Sequence, residues 1–356
     1  MDFDLSEEQE LLQETVRQLL ENECPLTRVR EIFDGDVGHD PQLWKSLLEM
    51  GLGGITIPEA HGGAGLELLD LALVAEALGY GAAPGPFLGH SLAGLALQLA
   101  GSEEQKQTWL PKLAAGDAIG SVAFCEEAGW QPEDWTLIAA SNLSGIKNHV
   151  PFGSLADLIV VGTADGGLAL VEGGSNIKVE RIDGADRTRR LDQVHFEGAP
   201  CEALPDGPAA SGRLRDAALI LLAADAYGGA ARVLEMTVEY AKTREQFGVT
   251  IGHFQGIKHA LANAAIRVDP VRFLVWYAAH AFDHVPEESE RTAALTKAHA
   301  ASVFMEAARD AVELHGGYGF TWECDVQIFF KRAMFDRAFL GAPSIHRERA
   351  VALANW

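Results

Sequence analysis

The chain has 356 residues, 48% of them hydrophobic and 22% charged, and a formal net charge of −23 at pH 7. That length allows two or three domains with cores of their own. The acidic surplus argues against nucleic acid, which needs clustered Lys and Arg on its phosphates, yet leaves room for a phosphorylated cofactor held by a few cations or helix N-termini.

In chain order, the first residues, MDFDLSEEQE, lack the basic-then-apolar layout of a signal peptide. Ser6 and Gln9 form a capping-box pattern in its glutamine form, and Leu11, Leu12, Val16, Leu19 and Leu20 follow at helical spacing. Trp44, Leu47, Leu48 and Met50 mark another helix, stopped by Gly51. Residues 57–66, IPEAHGGAGL, read as a glycine-rich loop before an apolar helix over 68–78. From 119 to 205 short β-type runs take over, at 121–125, 136–140, 157–162, 168–171, 177–181 and 193–196, with Gly, Asn and Asp clusters between them. Helical patterns return over 217–242, 255–268, 271–282, 291–314 and 326–339, punctuated by Pro270, Pro286, Gly316-Gly317 and Pro343. No apolar run, 217–224 being one of the longest, reaches the length that spans a bilayer. Cys24, Cys125, Cys201 and Cys324 are dispersed without metal-like spacing, which predicts reduced packing residues in a cytoplasmic protein. The expected class is α+β with three domains: helical over 1–118, a small β-barrel or sandwich over 119–205, and a four-helix bundle over 206–356.

Two segments are more specific. Residues 240–259 read YAKTREQFGVTIGHFQGIKH, and residues 313–320 read ELHGGYGF. The first resembles the R-x-x-F-G-x-x-I-x-x-F-Q signature of the acyl-CoA dehydrogenase family, with Arg244, Phe247, Phe254 and Gln255 at the matching positions. The second resembles that family's Q-x-x-G-G-x-G-[FY], with Glu313 in place of the glutamine and Gly316-Gly317 as the glycine pair. The resemblance runs from the N-terminus to the end and implies the family's three-part fold and a flavin, FAD, lying between two subunits. It implies that Arg244 reaches the pyrophosphate of a neighbour's flavin, for which a bidentate guanidinium is suited. It also implies that Phe247 packs near the adenine, and that Gly316 and Gly317, lacking a Cβ, let the backbone approach the nucleotide.

Other family positions are lost. The flavin-binding T-E-P-x-[GA]-S-D strand corresponds to Phe124-Cys125-Glu126-Glu127-Ala128-Gly129-Trp130. The G-x-K-x-[WF]-I-[ST]-[NG]-G strand corresponds to residues 145–153, with His149 for the aromatic and Pro151 for the hydroxyl residue, and proline offers neither an N–H nor a hydroxyl. The E-G-T-S loop carrying the family's base becomes Leu340-Gly341-Ala342-Pro343-Ser344, and the alternative base position, about 26 residues before Arg244, is Ala218. No catalytic residue is assigned. The resemblance therefore implies oxidation of an acyl-CoA to the trans-2-enoyl-CoA, with this chain as the subunit lacking the base and a homologous partner holding it. The partner's carboxylate would take the α-proton and the flavin the β-hydride, with an electron-transfer flavoprotein as the onward acceptor. Two alternatives stay open: a homotetramer with a relocated base at Asp216, Glu126 or Glu127, and a flavin-free scaffold. Asp186-Arg187-Thr188-Arg189-Arg190 reads either as a D-x-T-R segment of the same family or as a solvated charged turn. Lys331, Arg332, Arg337 and Arg347 read as solvated or interfacial, and His346 as structural.

Overall fold

Helix α1 (Glu7–Glu23) starts as its capping box dictates in the computed structural model, which describes residues 4–127, 129–174 and 176–354. Gln9 N–H donates to Ser6 Oγ at 3.2 Å, and Ser6 N–H to Gln9 Oε1 at 3.1 Å. Val16 and Leu20 are buried while Leu11 faces solvent. There follow α2 (Leu26–Asp34), α3 (Pro41–Glu49), α4 (Leu68–Tyr80), α5 (Phe87–Ala100) and α6 (Glu103–Ala115). The 57–66 loop lies between α3 and α4, and Gly51, at φ 78°, leads the chain out of α3.

The β-region comprises β1 (Gly120–Ala123), β2 (Asn142–Pro151), β3 (Leu158–Thr163), β4 (Gly167–Glu172), β5 (Ile177–Ile182), β6 (Leu191–Pro200) and β7 (Glu202–Ala203). They form two sheets, in the orders β1-β3-β4-β7 and β2-β6-β5. Strand β3 shows why the first sheet is buried on both sides. Its Ile159 and Val161 join the β-core with Ala169 and Val171, while Leu158 and Val160 join the helical core, as the two-residue side-chain period requires.

The expected strand over 136–140 does not form. Thr136 N–H (2.9 Å) and Leu137 N–H (3.3 Å) donate to the Glu126 carboxylate, so a side chain takes the donors that a strand neighbour would have used. Strand β2 was legible only through the family pattern, because its ordering Lys147 and Pro151 break a simple alternation.

The C-terminal part is α7 (Gly207–Thr243), a short hairpin of β8 (Glu245–Gln246) and β9 (Val249–Thr250), then α8 (Gln255–Val268), α9 (Val271–His284), α10 (Pro286–Leu314), α11 (Val326–Ala338) and α12 (Pro343–Ala352). By length and composition α7 could cross a membrane, but 83% of its most apolar window is buried in this molecule, so it reads as a core helix. It crosses α4 at bare backbone. A Cβ on Gly228 would lie 2.0 Å from the Glu76 carbonyl oxygen, and one on Gly79 would lie 2.2 Å from that of Asp225.

The solvated reading of residues 186–190 and of Arg332 is overturned. Arg332 is 0% exposed and Asp186, Thr188, Arg189 and Arg190 are buried. All five guanidinium N–H groups of Arg332 find acceptors. Nε donates to Asp186 (2.7 Å), Nη1 to both Asp225 oxygens (3.0 and 3.1 Å), and Nη2 to the Ala83 carbonyl (3.0 Å) and Thr188 Oγ1 (2.7 Å). A single cation thus ties the α4–α5 connection, the 186–190 turn, α7 and α11, which is why a basic residue is tolerated in the core. Arg337 and Arg347 are exposed as expected, and all four cysteines are free and buried.

Candidate functional site

Two regions carry the residues that the sequence singles out, and they differ in kind. One is an interior wall between the β-region and the end of α11. The other is an exposed face of the bundle.

At the interior wall, Phe124 stacks on Trp135 (5.2 Å between centroids, 22°) just beyond β1. Glu126 is buried and fully engaged. Lys147 Nζ donates to it at 2.5 Å, and Thr136 donates through both its N–H and its hydroxyl. Burial pushes the Glu126 carboxyl up, but the ammonium and the Thr136 bonds outweigh it and hold the group below the ordinary value. Glu126 is therefore a committed partner of Lys147, and Glu127 is exposed. Ala128 lies outside the described residues.

Trp130 stands against His149 (5.4 Å, 35°) and against Phe339 (4.9 Å, 67°). These three side chains come from the loop after β1, from β2 and from the segment after α11. The edge-to-face contact of Trp130 with Phe339 leaves no gap for another ring between those two. The His149 backbone has φ 54°, and its Nδ1 is buried without a partner. The Pro151 carbonyl accepts from Ser121 Oγ at 2.5 Å. Trp130, His149 and Phe339 themselves line a cavity of about 330 Å³, together with Leu191, Met334 and Phe335.

Leu340 is 3% exposed and has φ 59°, a conformation that a branched side chain adopts only under strain. His346 Nε2 lies 3.1 Å from the Leu340 carbonyl, and burial pushes this imidazole down to about 4, so the neutral ring donates there. Ala218 is 0% exposed on α7. Neither base position can accept a proton. The wall lacks the hydroxyl donors that the resemblance implies, since Pro151 and Leu340 offer none.

The exposed face is built differently. Arg244 ends α7, lies in solvent, and its guanidinium makes no ion pair among the described residues. Phe247 and Gly248 form the two-residue tip between β8 and β9, at φ 56° and 79°. Such a turn favours Asn-Gly, so Phe247 bears strain there, and it is 92% exposed. Phe254 caps the start of α8, 6.2 Å from Phe247 and at 86° to it, and Gln255 follows in the first turn, exposed. Glu313 is exposed in the last turn of α10. At Gly316 (φ 62°) and Gly317 a Cβ would meet nothing within 4 Å.

A contact that sequence reading missed brings these two segments together. Tyr240 stacks on His315 (4.2 Å, 21°) and on Tyr318 (6.1 Å, 21°), and its hydroxyl reaches the His315 carbonyl at 3.4 Å. Arg244 is one helical turn beyond Tyr240 and Gly316 is next to His315, so both segments belong to one side of the bundle. Phe320, 76% exposed, and Tyr318 extend its aromatic surface. An unpaired guanidinium, open glycines and exposed rings suit an anionic nucleotide presented from outside.

Residues 6–117 match the model for the acyl-CoA dehydrogenase N-terminal domain and residues 215–352 the model for its C-terminal domain. Acyl-CoA dehydrogenase IpdE2 of Mycolicibacterium smegmatis is 36% identical over 340 residues, 95% of this chain and 96% of that protein. The Tcur3481–Tcur3483 steroid ACAD, solved as a variant, superposes with a TM-score of 0.89 at 31% identity, over 98% of this chain and 97% of that one. The ChsE4–ChsE5 complex of Mycobacterium tuberculosis superposes with a TM-score of 0.88 at 28% identity, over 99% and 98% of the two chains.

Proposed function

This chain belongs to the acyl-CoA dehydrogenase family, and we propose that it serves there as the subunit without a base, completing a flavin site on a homologous partner. One observation carries the reading. The base positions are Leu340 and Ala218, which take no proton, while Arg244, Phe247, Phe254, Gln255, Gly316 and Gly317 stand open to an incoming molecule. Two similar structures carry paired names, and one of them is a complex of ChsE4 with ChsE5. FAD is the expected cofactor, held mainly by the partner. The flavin would supply the hydride acceptor for oxidation of an acyl-CoA. On this side Arg244 would bind the pyrophosphate, and Phe247 with Phe254 would cover the adenine. Glu313 adds a negative charge near that phosphate, which Arg244 would have to offset.

The expected result is that the chain purified alone is nearly colourless and oxidises no acyl-CoA, and that co-expression with a homologous subunit yields a yellow complex. A steroid acyl-CoA, the class named for one relative, is the first substrate to assay. Stoichiometric FAD and normal turnover in the single chain would sink the proposal. Leu340→Glu should leave the single chain inactive, since a carboxylate at that place still faces a wall without flavin. Measurable oxidation by that variant would mean that the wall can open.

One observation favours a rival in which Asp216 is the base: burial pushes its carboxyl up to about 6, a range useful for proton transfer. Its geometry counts against that role. Arg215 Nε and Nη2 donate to Asp216 Oδ1 at 3.2 and 2.9 Å, and the same Nη2 reaches Glu290 at 2.9 Å, which makes Asp216 part of a structural ion group. Asp216→Asn in the assembled enzyme is expected to change kcat by less than about threefold, whereas loss of a positioned general base costs about 100-fold or more.

A further inference from the structure

Starting from the subunit reading above, on which this rests, we propose that Tyr240 and Trp322 are positioning residues for the partner's nucleotide. They suspend the loop over 315–325 between helix α7 and helix α2, so that Gly316-Gly317 keep their place beside Arg244 before the nucleotide arrives. The loop joins α10 to α11, and surface connections are ordinarily more mobile than the helices they join. One end is held by α7. Tyr240, half-buried, stacks on the buried ring of His315 (4.2 Å, 21°). His315 Nδ1 lies 2.8 Å from the Ala311 carbonyl, which fixes the ring beneath it.

The other end is held by α2. The Arg30 guanidinium lies over the Trp322 ring at 4.9 Å and donates to the Trp322 carbonyl and to Asp325. Phe33 packs on the same indole at 4.8 Å, and the indole Nε1–H donates to Asp34 at 3.1 Å. Between these two pins the loop is bonded to itself and to its own helices. Thr321 Oγ1 donates to the Tyr318 carbonyl at 2.8 Å, the Tyr318 hydroxyl to the Glu323 carbonyl at 3.2 Å, and Gln327 Nε2 to the Gly319 carbonyl at 2.6 Å. A Cβ on Gly319 would lie 2.2 Å from the Val312 carbonyl oxygen, so the loop packs directly on the end of α10.

Gly316 and Gly317 are the contrast. A Cβ at either would meet nothing within 4 Å, although His315 before the pair and Tyr318 after it both belong to the stack. The open stretch is thus two residues carried on a fixed frame. Such a frame lowers the cost of ordering when a ligand meets it. Tyr240 and Trp322 act through the loop and need no contact with the nucleotide. Arg244 differs from them, because its charge meets the pyrophosphate itself.

The test uses the two-subunit enzyme, stripped of flavin and titrated with FAD by fluorescence. Tyr240→Leu and Trp322→Leu should each weaken FAD binding about 10-fold, while Tyr240→Phe, which keeps the ring, stays within about twofold of the unmodified enzyme. At saturating FAD both leucine variants should regain kcat and the KM for acyl-CoA, because the loop faces the nucleotide and not the reacting ring. A defect of folding or assembly would not be recovered that way. Arg244→Ala is titrated beside them. If Arg244→Ala loses FAD while one leucine variant binds it normally, that residue has no positioning role; normal binding by both overturns the proposal and leaves the subunit reading standing. If Arg244→Ala binds FAD normally, the subunit reading falls and the proposal with it. A Tyr240→Phe enzyme as weak as Tyr240→Leu would overturn the ring stack as the pin. If one leucine variant fails to assemble, the other decides.

Discussion

Arg332→Met is expected to destabilise the protein by about 3–5 kcal/mol, the range for breaking a buried ion group by removing one partner. Methionine fills much of the volume but none of the charge, so among the described residues Asp186 loses its one guanidinium and Asp225 keeps that of Arg189. The Thr188 hydroxyl and the Ala83 carbonyl lose a bond as well. Arg332→Lys should recover little. An ammonium has three donors at one point, whereas the guanidinium serves four acceptor groups lying in different directions. Urea unfolding monitored by circular dichroism measures this directly, through a lower midpoint at an unchanged slope. A Met variant within about 1 kcal/mol of the unmodified chain would show that the cluster is replaceable by packing, as some buried ion groups are.

The second large effect belongs to the assembly. Arg244→Ala is expected to lower the affinity of the two-subunit enzyme for FAD by about 10- to 100-fold, matching the worth of a charge-assisted bond of about 1.5–3 kcal/mol. Because Arg244 is exposed and unpaired in this chain, the substitution should leave the chain's own Tm within a degree or so. That pairing of outcomes, flavin lost from the complex with the isolated fold intact, separates a role toward a partner from a structural one. FAD content measured by absorbance after gel filtration, beside the Tm of the single chain, reads both. Unchanged FAD retention would remove Arg244 from the site.

The two regions differ in how much of them could be read in advance. Capping residues, helix stops and the β-run spacing report local physics, and α1, α3 and strands β1 and β3 to β6 followed from them. The segment at 136–140 did not, because a carboxylate eleven residues away supplied its hydrogen bonds. The exposed face was legible as two motifs, since Arg, Phe and paired Gly at fixed spacing carry their chemistry in their own type. That Tyr240 and His315 stack to bring the two motifs onto one side was not, because nothing local to either segment encodes the other.

The interior wall shows the division most sharply. Leu340, Ala218, His149 and Pro151 are absences that the sequence alone displays, for a residue's inability to take or give a proton does not depend on its surroundings. What occupies the space is a tertiary fact. Trp130 was unremarkable in sequence, yet it reaches both His149 and Phe339 once β1, β2 and α11 are packed. Arg332 reads as a surface cation by type, since burying an unpaired charge costs several kcal/mol. Only the fold shows that carboxylates at 186 and 225, from distant segments, converge to offset that cost. The sequence by itself thus determined which chemistry this chain lacks, because side-chain identity settles that. The tertiary structure decided which charges are interior and that Trp130, His149 and Phe339 meet, because both depend on neighbours brought together from across the chain.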